Sequence, residues 1–220
     1  MKNVIITGSS GMIGGMVLQK CLESNDVKKI TSIVRKTSGI SHPKLNEIIH
    51  DNFLDYTAIS SQFQNQDIAF YCIGVYTGAV PRDKFKEITV DYTEAFAKTL
   101  RSESVKTTFC FLSGQGADQT EKSRMMFAKD KGIAENILQK LNFDRFYTFR
   151  PGYIYPSMPR VEPNLTYKIM KAIYKPISFI YPNIGISSEQ LSSAMIKVGW
   201  AGYHKTILEN KDIRTVMGLV

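Results

Sequence analysis

Six short apolar runs alternate with longer segments through the first 150 residues, and that order restricts the fold more than any other feature. The runs are Lys2–Thr7, Ile30–Val34, Ile48-Ile49, Ile68–Ile73, Thr107–Leu112 and Phe146–Phe149. Between them lie helix-compatible stretches at Gly11–Ser24, Asp83–Ser102 and Arg124–Leu141, and a polar segment at Asp55–Asn65. Strand, helix, strand with short connections argues for a parallel sheet covered on both faces. The runs are rich in Val, Ile, Phe and Tyr, the composition a buried strand requires. The expected fold is therefore α/β, a Rossmann-like doubly wound parallel sheet over residues 1–150. The segment 151–220 is expected as a small C-terminal, substrate-side cap of the same single domain. Five prolines between positions 156 and 182 break that segment into irregular pieces around a helix at Leu165–Lys175. A last helix is expected over Gln190–Tyr203 with Ser188 as N-cap, and a final strand at Asp212–Met217.

Composition removes several classes. Hydrophobic residues make up 43% of the 220 and charged residues 22%, so a core can form without disulfides or metal. The apolar runs are all shorter than the roughly 18 residues a membrane-spanning helix needs. The first strand opens at Lys2, and no targeting segment is expected ahead of it. Cys21, Cys72 and Cys110 are widely spaced, two of them inside apolar runs, and His42, His50 and His204 are scattered. Those spacings argue against a disulfide framework and a structural zinc site, and buried thiols in a reducing cytoplasm are expected. The formal charge of +8 favours an anionic ligand. The charge is spread along the chain, which argues against nucleic acid as the partner. The apolar face Leu165, Ile169, Ala172, Ile173 opposes Lys168, Lys171 and Lys175. It reads as a lid over an apolar pocket, with contact to an anionic membrane surface as the lesser alternative. Monomer and homodimer remain equally open.

The first run ends in Thr7-Gly8-Ser9-Ser10-Gly11-Met12-Ile13-Gly14, a GxxGxxG loop opening the first helix. Gly8, Ser10, Gly11, Met12 and Ile13 are placed to bring a pyrophosphate onto backbone N–H groups at a helix N-terminus. The second run ends in Arg35-Lys36, where an NAD site would carry an acid for the ribose 2′-hydroxyl. Two cations there suit a 2′-phosphate, so NADP(H) is expected and NAD(H) fits less well. Asp51 and Asn52 follow the third run, in reach of the adenine. Ile73-Gly74 end the fourth, where the chain passes the ribose.

These landmarks, with Leu112-Ser113, Lys131 and Arg150-Pro151-Gly152, resemble the short-chain dehydrogenase/reductase superfamily in its atypical branch. The phrases Leu112–Asp118, Lys131-Gly132 and Phe143–Gly152 are similar to a group of human and bacterial NADPH-binding oxidoreductases within it. The resemblance implies a Rossmann fold, a nicotinamide cofactor and an oxidoreductase or epimerase-like activity on a small molecule of unstated identity. It also implies roles for single residues. Ser113 would orient a substrate carbonyl, and Lys131 would hold the nicotinamide ribose and lower a tyrosine pKa. Pro151, Gly152 and Tyr153 would lie beside the nicotinamide. The family's tyrosine stands four residues before the lysine, and Phe127 stands there in this chain. With no phenol at that position, three readings stay open: a cofactor-binding regulatory protein without redox chemistry, an enzyme with its acid at Tyr76, Tyr153 or Ser113, and a weak reductase.

Overall fold

The computed structural model describes residues 1–158 and 181–219. The chain runs β1 (Lys2–Thr7), α1 (Met12–Glu23), β2 (Val27–Val34), β3 (Leu45–Ile49), a 3-10 segment (Thr57–Phe63) and β4 (Ile68–Tyr71). It continues through α2 (Arg82–Lys86), a π-helical stretch (Glu87–Asp91), α3 (Tyr92–Glu103), β5 (Thr108–Leu112), α4 (Met126–Lys140), β6 (Arg145–Arg150) and β7 (Tyr153–Tyr155). After the segment outside the described residues come β8 (Gly185–Ser187), α5 (Ser188–Ala201), β9 (Ile207–Glu209) and α6 (Asn210–Val216). Seven of the described strands form one parallel sheet in the order β3-β2-β1-β4-β5-β6-β9, and β7 pairs with β8 in a small parallel ribbon.

Period-2 alternation assigns each strand residue to a face. Val4 and Ile6 of β1, with Phe70 and Cys110, face α1 and α5, meeting Val17, Leu18, Leu191, Met195 and Val198. Ile5, with Ala69, Tyr71, Phe109 and Phe111, faces the other way, toward Phe63, Phe96, Leu100, Ala134 and Leu138. The sheet is thus covered on both sides, as the continuous apolar runs require. β9 pairs with β6, and Leu191, Ala194 and Ile213 are fully buried in the first cluster. This part of the segment read as a cap therefore shares the core of residues 1–150.

Two local expectations differ. The tail Asp212–Met217 is helix, not strand: the Asp212 carboxylate accepts from the Glu209 amide at 3.1 Å and caps α6. The strand is Ile207–Glu209 instead. The N-cap of α5 is Ser187, whose Oγ accepts from the Gln190 amide while Gln190 Oε1 accepts from the Ser187 amide, both at 3.1 Å. Ser188 is one residue too far along, and its hydroxyl turns to Ser157. The helix expected at Leu165–Lys175 lies outside the described residues.

Candidate cofactor and active site

Strand order reverses between β1 and β4, and in parallel sheets such a switch point opens a crevice at the carboxyl ends of the strands. Gly8 follows β1 there with φ +81°, and a Cβ on it would lie 2.5 Å from the backbone carbon of Cys72, just past β4. A Cβ on Gly14 would lie 2.2 Å from the Gly8 carbonyl oxygen. These two glycines let loop, helix and β4 close on one another. Gly11 is different. It is the exposed N-cap of α1, and a Cβ there would meet the Gly8 oxygen only at 3.2 Å. No side chain caps α1 and no acid lies in its first turn, so its first N–H groups are left for an anion. Ser9 is buried and tied to Ser32 of β2 at 2.8 Å, which fixes the loop against the sheet.

A cavity of about 670 Å³ opens in front of this loop. Gly11, Met12, Ile13, Ile73, Gly74, Tyr76, Ser113, Lys131, Pro151, Gly152 and Tyr153 all line it, as do Cys72, Leu112, Gly114, Gln115 and Phe127. Gly8 and Ser10 belong to the loop without lining the cavity. Arg35, Lys36, Asp51 and Asn52 also lie outside it, exposed at the carboxyl ends of β2 and β3. Among the described residues no ion pair engages Arg35. Asn52 caps its own turn, its Oδ1 accepting from the Leu54 amide at 3.2 Å.

The far wall is built by the turns after β5 and β6. The Ser113 amide donates to the Phe149 carbonyl and the Gln115 amide to the Pro151 carbonyl, both at 2.9 Å. A Cβ on Gly152 would lie 2.6 Å from the Ile184 oxygen, so the chain after β6 passes tightly beside the segment leading into β8. The α4 helix approaches the turn just as closely, since a Cβ on Gly132 would overlap the Asp118 carbonyl.

On that helix Phe127, Lys131 and Glu135 repeat every four residues and share a face. Lys131 is buried and is the only charged side chain among the described cavity residues. Its Nζ donates to the Leu112 carbonyl at 3.1 Å and lies 4.9 Å from the Phe111 ring centre. Burial pushes its pKa down to about 8, with Glu135 and Cys72 pulling the other way. Phe127 lines the cavity with its ring tip over Gly114, where a Cβ would come within 2.5 Å of Cζ. Phe127, Ser113 and Lys131 thus line one cavity.

Two residues of this site were not singled out from sequence. Glu135 is fully buried and accepts from Ser113 Oγ at 2.6 Å. Arg150 grips the same carboxylate, through Nε at 3.0 Å and Nη2 at 2.5 Å, and reaches Glu209 through Nη1 at 2.9 Å. The sequence signal for Glu135 was its position four residues after Lys131. Arg150 had appeared only as the start of a turn. No group of His, Cys, Asp and Glu among the described residues is arranged to hold a metal.

No protein-family model matches the chain. Protein HTATIP2 of Rattus norvegicus is 30% identical over 155 residues, covering 70% of this chain and 63% of the rat protein. The chain thus spans somewhat less than two-thirds of that relative. The mitochondrial protein FMP52-1 of Scheffersomyces stipitis is 24% identical over 184 residues, covering 81% of this chain and 80% of the fungal protein. A short-chain dehydrogenase/reductase superfamily protein of Agrobacterium tumefaciens with bound NAD superposes with a TM-score of 0.66 at 13% identity, covering 90% of this chain and 74% of the other. The fungal relatives correct one expectation: they are mitochondrial proteins, and the cytoplasmic assignment does not stand. That assignment rests on the thiols and on the expectation of no targeting segment. All three cysteines are buried, and a buried thiol is inert in any compartment. No described helix is long and apolar enough to cross a membrane.

Proposed function

We propose that this chain, a homologue of HTATIP2 with the Rossmann fold of short-chain dehydrogenase/reductase proteins, binds NADP(H) across its switch point and belongs to that group's atypical oxidoreductases or epimerases. One observation carries the reading: a single cavity joins the uncapped α1 N-terminus to Gly74, Ser113, Lys131 and Pro151–Tyr153. The site fits the group. Gly8 and Gly14 close the loop where a Cβ would strike backbone, and the first turn of α1 has no internal anion.

In this reading Gly8, Ser10, Gly11, Met12 and Ile13 hold the pyrophosphate. Arg35 and Lys36 take the 2′-phosphate, Asp51 and Asn52 reach the adenine, and Ile73-Gly74 flank the ribose. Lys131 donates to the nicotinamide ribose, and Pro151, Gly152 and Tyr153 orient the ring. When bound, the nicotinamide supplies or accepts a hydride. The chain's own residues position the ligand and exclude water, and Lys131 contributes a positive charge below about pH 8. Phe127 supplies no proton. Tyr76 and Tyr153 carry hydroxyls on the same cavity and are the candidates for that task, since the Ser113 proton goes to Glu135. A second reading, an NADPH-responsive binding protein without turnover, is favoured by Phe127 alone.

The test is isothermal titration. NADPH is expected to bind more tightly than NADH, and Arg35→Ala should remove roughly 1.5–3 kcal/mol of that preference, the range for a charge-assisted contact. Equal affinities for the two nucleotides in the parent protein would sink the NADP(H) assignment.

A further inference from the structure

We propose that Ser113 meets the cavity as a hydrogen-bond acceptor only, so that the site selects a ligand presenting a hydroxyl there, an alcohol rather than a carbonyl compound. The inference deepens the reading above and rests on it for the identity of the cavity.

A serine hydroxyl has one proton to give. Ser113 gives it to Glu135 Oε1 at 2.6 Å. Arg150 donates to both oxygens of Glu135, and a guanidinium stays protonated, so the carboxylate is ionised and can only accept. The pair is held from three elements: Glu135 on α4, Arg150 at the end of β6, and Glu209 at the end of β9, 2.9 Å from Arg150. The backbone offers no substitute at Ser113, because its amide already donates to Phe149. What Ser113 shows the cavity is lone pairs.

The donor in this corner is Lys131. Its ammonium has three protons, and the Leu112 carbonyl takes one. An alcohol satisfies both residues, its oxygen accepting from Lys131 and its proton going to Ser113. A carbonyl oxygen can accept from Lys131 but leaves the Ser113 lone pairs unmet, and unmet buried polar groups discriminate strongly. Glu135 acts through Ser113 and is a positioning residue.

The test compares 1-phenylethanol and acetophenone, which share a carbon skeleton, by saturation-transfer NMR and calorimetry on protein with and without NADP+. The alcohol is expected to bind roughly threefold to tenfold more tightly, the worth of one hydrogen bond. Ser113→Ala should erase the difference. The double variant Glu135→Leu/Arg150→Met removes both buried charges together and frees the hydroxyl to rotate, so the preference should fall or reverse. Equal binding of the two probes, a ketone preference in the parent, or a difference that survives Ser113→Ala overturns the proposal. Ser113→Ala decides alone if the double variant does not fold. Failure of NADP+ to bind would overturn the dinucleotide reading, while the probe comparison in cofactor-free protein still decides the polarity of Ser113.

Discussion

Replacing Lys131 by Met isolates the energetic cost of placing an ammonium in this cavity. Burial lowers its pKa from 10.5 to about 8. At about 1.36 kcal/mol per tenfold change in proton affinity, the charged form is disfavoured in the folded state by about 3 kcal/mol. The sign follows from proton counts. Below pH 8 both folded and unfolded chains hold the proton, so the penalty is fully present. Between pH 8 and 10.5 the unfolded chain holds it and the folded chain does not, so stability rises with pH across that window. Above it the gain is complete. Lys131→Met should therefore match or exceed the parent in stability at pH 7, and the parent should gain on the variant by about 3 kcal/mol as pH rises to 10.5. Urea unfolding of both proteins at half-unit intervals measures this, and taking the difference cancels the other lysines and tyrosines. Parallel stability curves would show that Lys131 titrates as a solvated lysine and would refute the reasoning.

The glycines of the first loop should separate folding from binding. Gly14→Ala, with its Cβ 2.2 Å from the Gly8 oxygen, should lower the melting temperature by roughly 5–10 °C through about 2–3 kcal/mol of overpacking. Gly11→Val, at the exposed cavity edge, should leave melting nearly unchanged and abolish NADPH binding by titration. Phe127→Tyr places a phenol one helical turn from Lys131, whose charge favours the phenolate. It should create or raise reduction of small carbonyls by at most about 10²–10⁴, with a pH dependence the parent lacks. An active parent that loses rate on Tyr76→Phe or Tyr153→Phe would instead locate the acid on those loops.

Much of this architecture was legible in the sequence because it is set by local pattern. Apolar runs of two to six residues separated by longer, mostly helix-compatible segments argue for a parallel sheet, and β1 to β6 fall where those runs lie. The glycine loop was legible for the same reason: its spacing and its place after the first strand describe a turn without side chains. Ser113, Lys131 and Pro151 were each read from a short phrase, and the fold brings all three to one cavity. What stayed hidden depends on partners far along the chain. Glu135 and Arg150 look like an exposed helix acid and a strand-end base until β5, β6 and α4 are assembled, and then they meet in the core at 2.5 Å. The tail was misread because Ile213 and Val216 suit strand or helix alike, and the deciding contact is one carboxylate, Asp212, folding back on Glu209. Compartment was never written in the thiols.

The substrate side of the cavity departs from the superfamily pattern in two linked ways, and the link bears on which reading of function is stronger. A lone Tyr-to-Phe change would leave Ser113 free to donate to a carbonyl, as the family resemblance implies. Here the serine's proton is committed to a carboxylate that two guanidinium contacts keep ionised. If the family resemblance holds residue by residue, both neutral donors it implies at a carbonyl oxygen are missing from this wall, while Lys131 stays. No carboxylate lies within ion-pair distance of Lys131 among the described residues, so its burial is offset by a carbonyl, a ring face and the more distant charge of Glu135, and its pKa still falls. An ammonium held at that disadvantage in a cleft is a mark of a ligand site more than of a structural one. Under the proposed reading, the cavity is a site refitted for a different polarity of ligand rather than a reductase that has lost one atom.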